Sequence, residues 1–146
     1  MKHIFKAAIF LLILSGCSTD EGLLCETGPV GFDFEVADQA TGENLYEAGV
    51  NNDNRISIKN KGGEKVDYSF DSERKIFEVL LGWETKSDVY TVVISEDIEF
   101  EIAFSLQRNS GGSCSSTTLK DLQIHGAEFE TSSTTGITKI FVTGHL

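Results

Sequence analysis

The sequence predicts an all-β protein, an antiparallel β-sandwich of about 7–8 strands, and three observations predict it. Apolar and polar residues alternate with a period of two along most of the chain beyond residue 29, as half-buried strands require. Clusters of Gly, Asn, Asp and Ser separate these runs at short intervals. No long stretch of that region keeps helical periodicity. The single proline, Pro29, leaves nearly every backbone N–H able to join a sheet. A closed barrel is the second architecture that such a pattern permits.

The first residues stand apart. Lys2 and Lys6 supply positive charge, and Ala7 to Leu14 is an unbroken apolar run. That run falls short of the roughly 20 residues a membrane-spanning helix needs. With small residues following it, the stretch over 1–16 predicts an N-terminal helical signal peptide. Leu14-Ser15-Gly16-Cys17 resembles the lipobox, Leu-(Ala/Ser)-(Gly/Ala)-Cys, of bacterial lipoproteins. The resemblance implies that the Cys17 thiol receives a diacylglycerol, that the chain is cut before Cys17, and that the new amino group is acylated. Several acyl chains anchor better than one, because each buried methylene adds about 0.8 kcal/mol. The plainer reading is an ordinary signal peptide with an incidental cysteine. The resulting division is a signal peptide over 1–16, a lipidated tether over 17–29 and a β-sandwich domain over 30–146.

Val30 to Val36 opens the domain, with Phe32, Phe34 and Val36 on one face and Asp33 and Glu35 on the other. Asp38 to Asn44 predicts a turn in which Gly42 can adopt a positive φ. Asn51-Asn52-Asp53-Asn54 predicts another. Arg55 to Lys59 is a short strand with Ile56 and Ile58 inward, and Gly62-Gly63 signals a hairpin. Val66, Tyr68 and Phe70 resume the alternation, and Asp71 to Arg74 turns the chain. Lys75 to Glu84 places Phe77, Val79, Leu81 and Trp83 on one face. Ile76 and Leu80 on the opposite face predict a central strand covered on both sides, and Val89 to Ser95 reads similarly. The clearest strand is Ile98 to Leu106, with five apolar residues facing one way and Glu99, Glu101 and Ser105 the other. Asn109 to Thr117 is a Gly/Ser-rich loop around Cys114. Leu119 to Phe129 reads as one strand whose register resets at Gly126, a site for a β-bulge. Thr131 to Gly136 turns the chain into a last strand, Ile137 to Thr143.

Cleavage before Cys17 would remove Lys2 and Lys6 from the 12 basic residues and none of the 23 acidic ones, leaving a net charge of −13. Such a surface repels nucleic-acid phosphates and anionic lipid headgroups, so no nucleic-acid partner is expected and the composition suits a body held off a membrane by a tether. The charges are scattered and fit plain solubility. Three cysteines are present. With Cys17 lipidated, Cys25 and Cys114 remain, and an oxidising compartment predicts a disulfide between them. Closing so long a loop contributes about 4 kcal/mol in chain-entropy terms. Two unpaired thiols or a metal site are the alternatives. A zinc site wants about four Cys or His ligands, and only His125 and His145 stand in the mature chain beside the two cysteines.

No Gly-x-Ser-x-Gly elbow, His-Glu-x-x-His or phosphate loop occurs. No cofactor and no catalytic residues are therefore expected. His125 falls on a polar strand face with Asp121 and Gln123, and His145 is next to the C-terminus. Glu99 and Glu101 are two apart on one strand face, near enough to imagine a carboxylate pair, though a solvated face accounts for them as well. Asn51 to Asn54 offers oxygen ligands for calcium but lacks the spacing of a defined loop. Trp83 is either an exposed stacking residue or, as tryptophan at a strand end more commonly is, the edge of the core.

Phe32 to Val36, then Asp38-Gln39-Ala40-Thr41-Gly42-Glu43-Asn44-Leu45, and later Gly82-Trp83 and Thr135-Gly136-Ile137, resemble a loose group of small bacterial lipoproteins without assigned activity. The Asp-x-x-Thr-Gly-Glu-x-Leu turn also resembles the first hairpin of prealbumin-like sandwich modules. Both imply a sandwich and transfer no functional residue. The expected function is a membrane-anchored envelope lipoprotein, a binding or interaction module with a protein, peptide or glycan partner and no catalytic activity of its own. A small carboxylate-dependent hydrolase acting on envelope material, or a structural lipoprotein without a dedicated ligand, is the alternative. Ser18 after the lipidated cysteine implies the outer membrane, and Asp20-Glu21 resembles a signal for export to the cell surface.

Overall fold

The computed structural model describes residues 28–46, 56–111 and 114–143. The signal peptide, Cys17, Cys25, the Asn51–Asn54 turn and His145 lie outside the described residues. Within them the chain forms nine strands and no helix: β1 (Val30–Asp38), β2 (Ser57–Asn60), β3 (Tyr68–Asp71), β4 (Ile76–Gly82), β5 (Lys86–Ser95), β6 (Ile98–Asn109), β7 (Ser116–His125), β8 (Glu128–Thr131) and β9 (Thr138–Val142). They make a five-stranded sheet ordered β3-β4-β1-β9-β8 and a four-stranded sheet ordered β2-β5-β6-β7. The fold is all-β and consistent with a β-sandwich. One pairing departs from the antiparallel expectation. β1 lies antiparallel to β4, with Phe34 opposite Phe77, and parallel to β9, with Phe34 opposite Thr138.

The alternation read from the sequence builds the core. Phe32, Phe34 and Val36 of β1 and Phe100, Ile102 and Phe104 of β6 are buried in one cluster. The Phe34 ring meets Phe100 edge-on at 6.3 Å between centroids, and it stacks on Phe32 at 5.6 Å and Phe77 at 5.2 Å. These faces close because each large apolar side chain contributes roughly 1.5–3 kcal/mol when it leaves water. Glu99 and Glu101 are exposed on the outer face, and Asp33 and Glu35 are half-buried on theirs.

Four expectations need correction. β4 is not covered on both sides: Ile76 is buried, but Leu80, on the same outer face, is 65% exposed. Trp83 is 51% exposed and does not cap the core. The register reset lies at Asp121 rather than Gly126. Two residues of β7 there oppose one of β6, between Ala103 and Ser105, and Asp121 takes a φ of 50°. Its carboxylate accepts a hydrogen bond from the Ser105 hydroxyl at 2.8 Å. Gly126, at φ 88°, instead turns the chain out of the four-stranded sheet. Leu119–Phe129 is therefore two strands in two sheets, which raises the count. Likewise the Gly62-Gly63 turn closes a short hairpin, held by the Lys59–Lys65 bridge and by bonds from the Asn60 N–H to the Glu64 carbonyl, the Gly63 N–H to the Asn60 carbonyl and the Val66 N–H to the Ile58 carbonyl. The chain then crosses to the other sheet, where β3 pairs with β4.

Candidate functional site: the Trp83 mouth of the sandwich

β4 belongs to the five-stranded sheet and β5 to the four-stranded one, so the chain changes layers between them. Gly82 makes the change possible. Its φ of 115° is a conformation that side chains other than glycine's resist. The turn swings Trp83 out of the strand's alternation and into solvent. It is nevertheless fastened. The Trp83 carbonyl accepts a hydrogen bond from the Thr117 hydroxyl at 2.6 Å, and the Arg108 N–H donates to the Thr85 hydroxyl at 3.0 Å. Both bonds tie the tryptophan's turn to the β6–β7 hairpin, so the indole is carried on a held backbone.

Two cations flank it. On β5 and β6 the inward positions run Val92 opposite Phe100, Tyr90 opposite Ile102, and Asp88 opposite Phe104. Continuing that period, Lys86 stands opposite Leu106, and Arg108 stands one inward position beyond, opposite Thr117. Alternation thus sends both side chains into the open end of the sandwich. The Lys86 ammonium lies 5.7 Å from the ring centroids of both Tyr90 and Phe104. It is 3.7 Å from the Asp88 carboxylate and donates to the Tyr90 hydroxyl at 3.4 Å. Its charge rests on aromatic faces, an arrangement worth about 0.5–1 kcal/mol at exposed sites. The Arg108 guanidinium donates to the Ser115 hydroxyl at 3.1 Å. Leu81, Gly82, Trp83, Glu84, Lys86 and Arg108 line a shallow cavity of about 540 Å³. An indole face, an ammonium and a guanidinium can hold an apolar surface and an anionic group side by side.

The residues singled out from sequence are scattered. Glu99 lines a smaller cleft of about 310 Å³ with Asp97 and Glu128 at the far end of the molecule, while Glu101 is exposed opposite His125 on the outer sheet face. Among the described residues no group of three or more His, Cys, Asp or Glu side chains is arranged to hold a metal. Cys114 lies half-buried in the β6–β7 loop, and its expected partner Cys25 is outside the described residues.

A carboxylate pair that the sequence reading missed stands on the outer face of the larger sheet, where Asp33 of β1 is directly opposite Glu78 of β4. Burial, and secondarily the charge of Glu78, push the Asp33 carboxyl above its usual range, against a smaller opposing pull from Arg74. Arg74 itself bonds Glu78 at 2.5 Å and Asp71 at 2.6 Å. Asp71 is held below the usual range chiefly by the Arg74 backbone N–H and then by its guanidinium.

Lys86 and Arg108 were also missed. The available signal was phase, since both continue the inward series of their strands past its last apolar member.

No helix among the described residues is long and apolar enough to cross a membrane. No family model, curated protein or solved structure matches the chain.

Proposed function

We propose that this chain is a bacterial envelope lipoprotein, anchored in the outer membrane through lipidated Cys17, whose folded body is a binding or interaction module. The observation that carries the reading is Leu14-Ser15-Gly16-Cys17 at the end of a short apolar run that follows Lys2 and Lys6. The body supports contact rather than chemistry. Its apolar residues close into one core, and the Trp83 mouth offers a stacking face and two cations without a nucleophile–base pair. In this reading the Cys17 thiol is taken by lipid, so Cys25 is the cysteine left to pair with Cys114. Metabolic labelling with a palmitate analogue tests the anchor. Wild-type protein should carry the label, and Cys17→Ala should lose it and accumulate uncut. A labelled Cys17→Ala protein would overturn the reading. Protease treatment of intact cells separates surface display from the periplasmic face.

The hydrolase alternative has one observation in its favour, the raised proton affinity of Asp33 opposite Glu78. Turnover of cell-wall or polysaccharide fragments that disappears in Asp33→Asn would replace the binding reading.

A further inference from the structure

We propose that the Trp83 mouth is the membrane-facing end of the body, and that Trp83, Lys86 and Arg108 dock on phospholipid headgroups of the bilayer that holds the anchor. The inference rests on the lipoprotein reading and adds an orientation to it.

Chain geometry gives the first argument. β1 begins at Val30, which pairs with Gly82, the residue before Trp83. The tether therefore joins the body at this end. Residues 17–29 fully extended reach at most about 45 Å, at roughly 3.5 Å per residue. Cys114 sits in the hairpin loop that Thr117 and Arg108 fasten to the turn carrying Trp83. If Cys25 is its partner, seven residues lie between the crosslink and the lipidated Cys17, eight residue steps with a reach of about 28 Å. A body held so closely meets the bilayer with this end first.

Side-chain chemistry gives the second. An indole is suited to the headgroup layer, where one part of it is apolar and the N–H is wet. Lys86 and Arg108 match lipid phosphates, and their stems can lie along apolar surface while the charges stay in the polar layer. Leu80, opposite Gly31 at the start of β1, adds exposed apolar surface near the same end. Two carboxylates accompany these cations: Glu84 lines the mouth, and Asp88 stands 3.7 Å from the Lys86 ammonium.

The third argument is polarity. The opposite end carries the Glu96-Asp97 turn between β5 and β6, Glu128 at the start of β8, and the Asp38 to Glu43 turn after β1. Arg74 and Lys75 are at that end too, but Arg74 is bound to Asp71 and Glu78. An acidic body whose far end is the more strongly acidic turns its tethered end to anionic headgroups and presents the acidic end outward. The outward end is then the one available to a partner.

Trp83 is the only tryptophan in the chain, so its native fluorescence reports on this end alone. The lipidated full-length product is reconstituted in vesicles of phosphatidylethanolamine with phosphatidylglycerol, and flotation verifies anchoring. Phospholipids with brominated chains should quench Trp83, and quenching by aqueous iodide should fall several-fold against the same protein in detergent. Lys86→Gln or Arg108→Gln should still float, with docking weakened about fivefold for each cation removed, since a cation near the surface contributes that factor. A protein that floats while Trp83 stays open to iodide and untouched by brominated lipid would overturn the orientation and leave the anchor standing. So would protection of Trp83 only by a soluble anionic oligosaccharide, which would make the mouth a glycan site. A protein that does not float would overturn anchor and orientation together.

Discussion

Phe34→Ala is the sharpest test of how the two layers are joined. Phe34 is fully buried, stacks on Phe32 and Phe77 within its own sheet, and reaches across to Phe100 of the other. Truncating a buried phenylalanine costs about 3–5 kcal/mol, through lost transfer energy and the cavity left behind. Each aromatic pair adds about 0.5–1.5 kcal/mol beyond burial. With three ring partners the expected loss is in the upper part of the range, about 4–5 kcal/mol. That is a large share of the 5–15 kcal/mol typical of a domain's stability. Urea titration followed by circular dichroism should show the midpoint falling steeply with the slope unchanged, since the surface exposed on unfolding is nearly the same. A thermal scan should show a loss of roughly 15 °C, at about 3–4 °C per kcal/mol for a domain of this size. A double-mutant cycle with Phe100→Ala should return a coupling of about 1 kcal/mol across the layers. Glu101→Gln, on the exposed face of the same strand as Phe100, should stay within about 0.5 kcal/mol. A Phe34→Ala loss under about 2 kcal/mol, or a Glu101→Gln loss as large, would refute the packing described here.

Gly126→Ala should destabilise by about 1–2 kcal/mol, because φ 88° strains a side chain and the new Cβ would sit 3.4 Å from the Glu99 carbonyl; a neutral result in a chemical melt would count against that corner. Lys75→Gly should go the other way, gaining up to about 1 kcal/mol by relieving φ 58°, since the Asn44 side chain bonds only the backbone carbonyl there. Asp33 binds its proton more tightly folded than unfolded, so its contribution to stability grows as pH falls from neutral through its raised pKa. Asp71 is the reverse: its depressed pKa gives stability that is present above the ordinary carboxylate range and lost as pH falls through the folded value. Stability measured from neutral to acid pH should therefore lose its Asp33 component in Asp33→Asn and its Asp71 component in Asp71→Asn, with slopes of opposite sign; like signs would contradict both environments.

Strands were legible where one face is buried and the other wet. Ile98 to Leu106 shows this most plainly, because a strict period of two admits only one inward set. What a strand pairs with is not written in its period. Leu119 to Phe129 carries no local mark that its two parts belong to different layers. Its bulge is visible only as the three-residue spacing of Leu119 and Leu122, both partly buried against the core. Leu80 misled because an apolar residue on an outer face looks the same whether or not something covers it. The Trp83 mouth was half legible. The exposed-stacking alternative was available from the residue itself. Lys86 and Arg108 join it only through the register of β5, β6 and β7, which brings together residues from three segments of the chain.

The parallel pairing of β1 with β9 has a temporal meaning. The first strand needs the last as its neighbour, so the larger sheet stays open at its middle until Thr138–Val142 has been delivered. Closing a loop of that length costs about 4 kcal/mol of chain entropy before any contact is returned. A chain threaded through any machinery from its N-terminus would thus remain pliable for most of its passage. Its hydrophobic first strand would wait beside β4 alone, and the body would lock only as the final residues arrive.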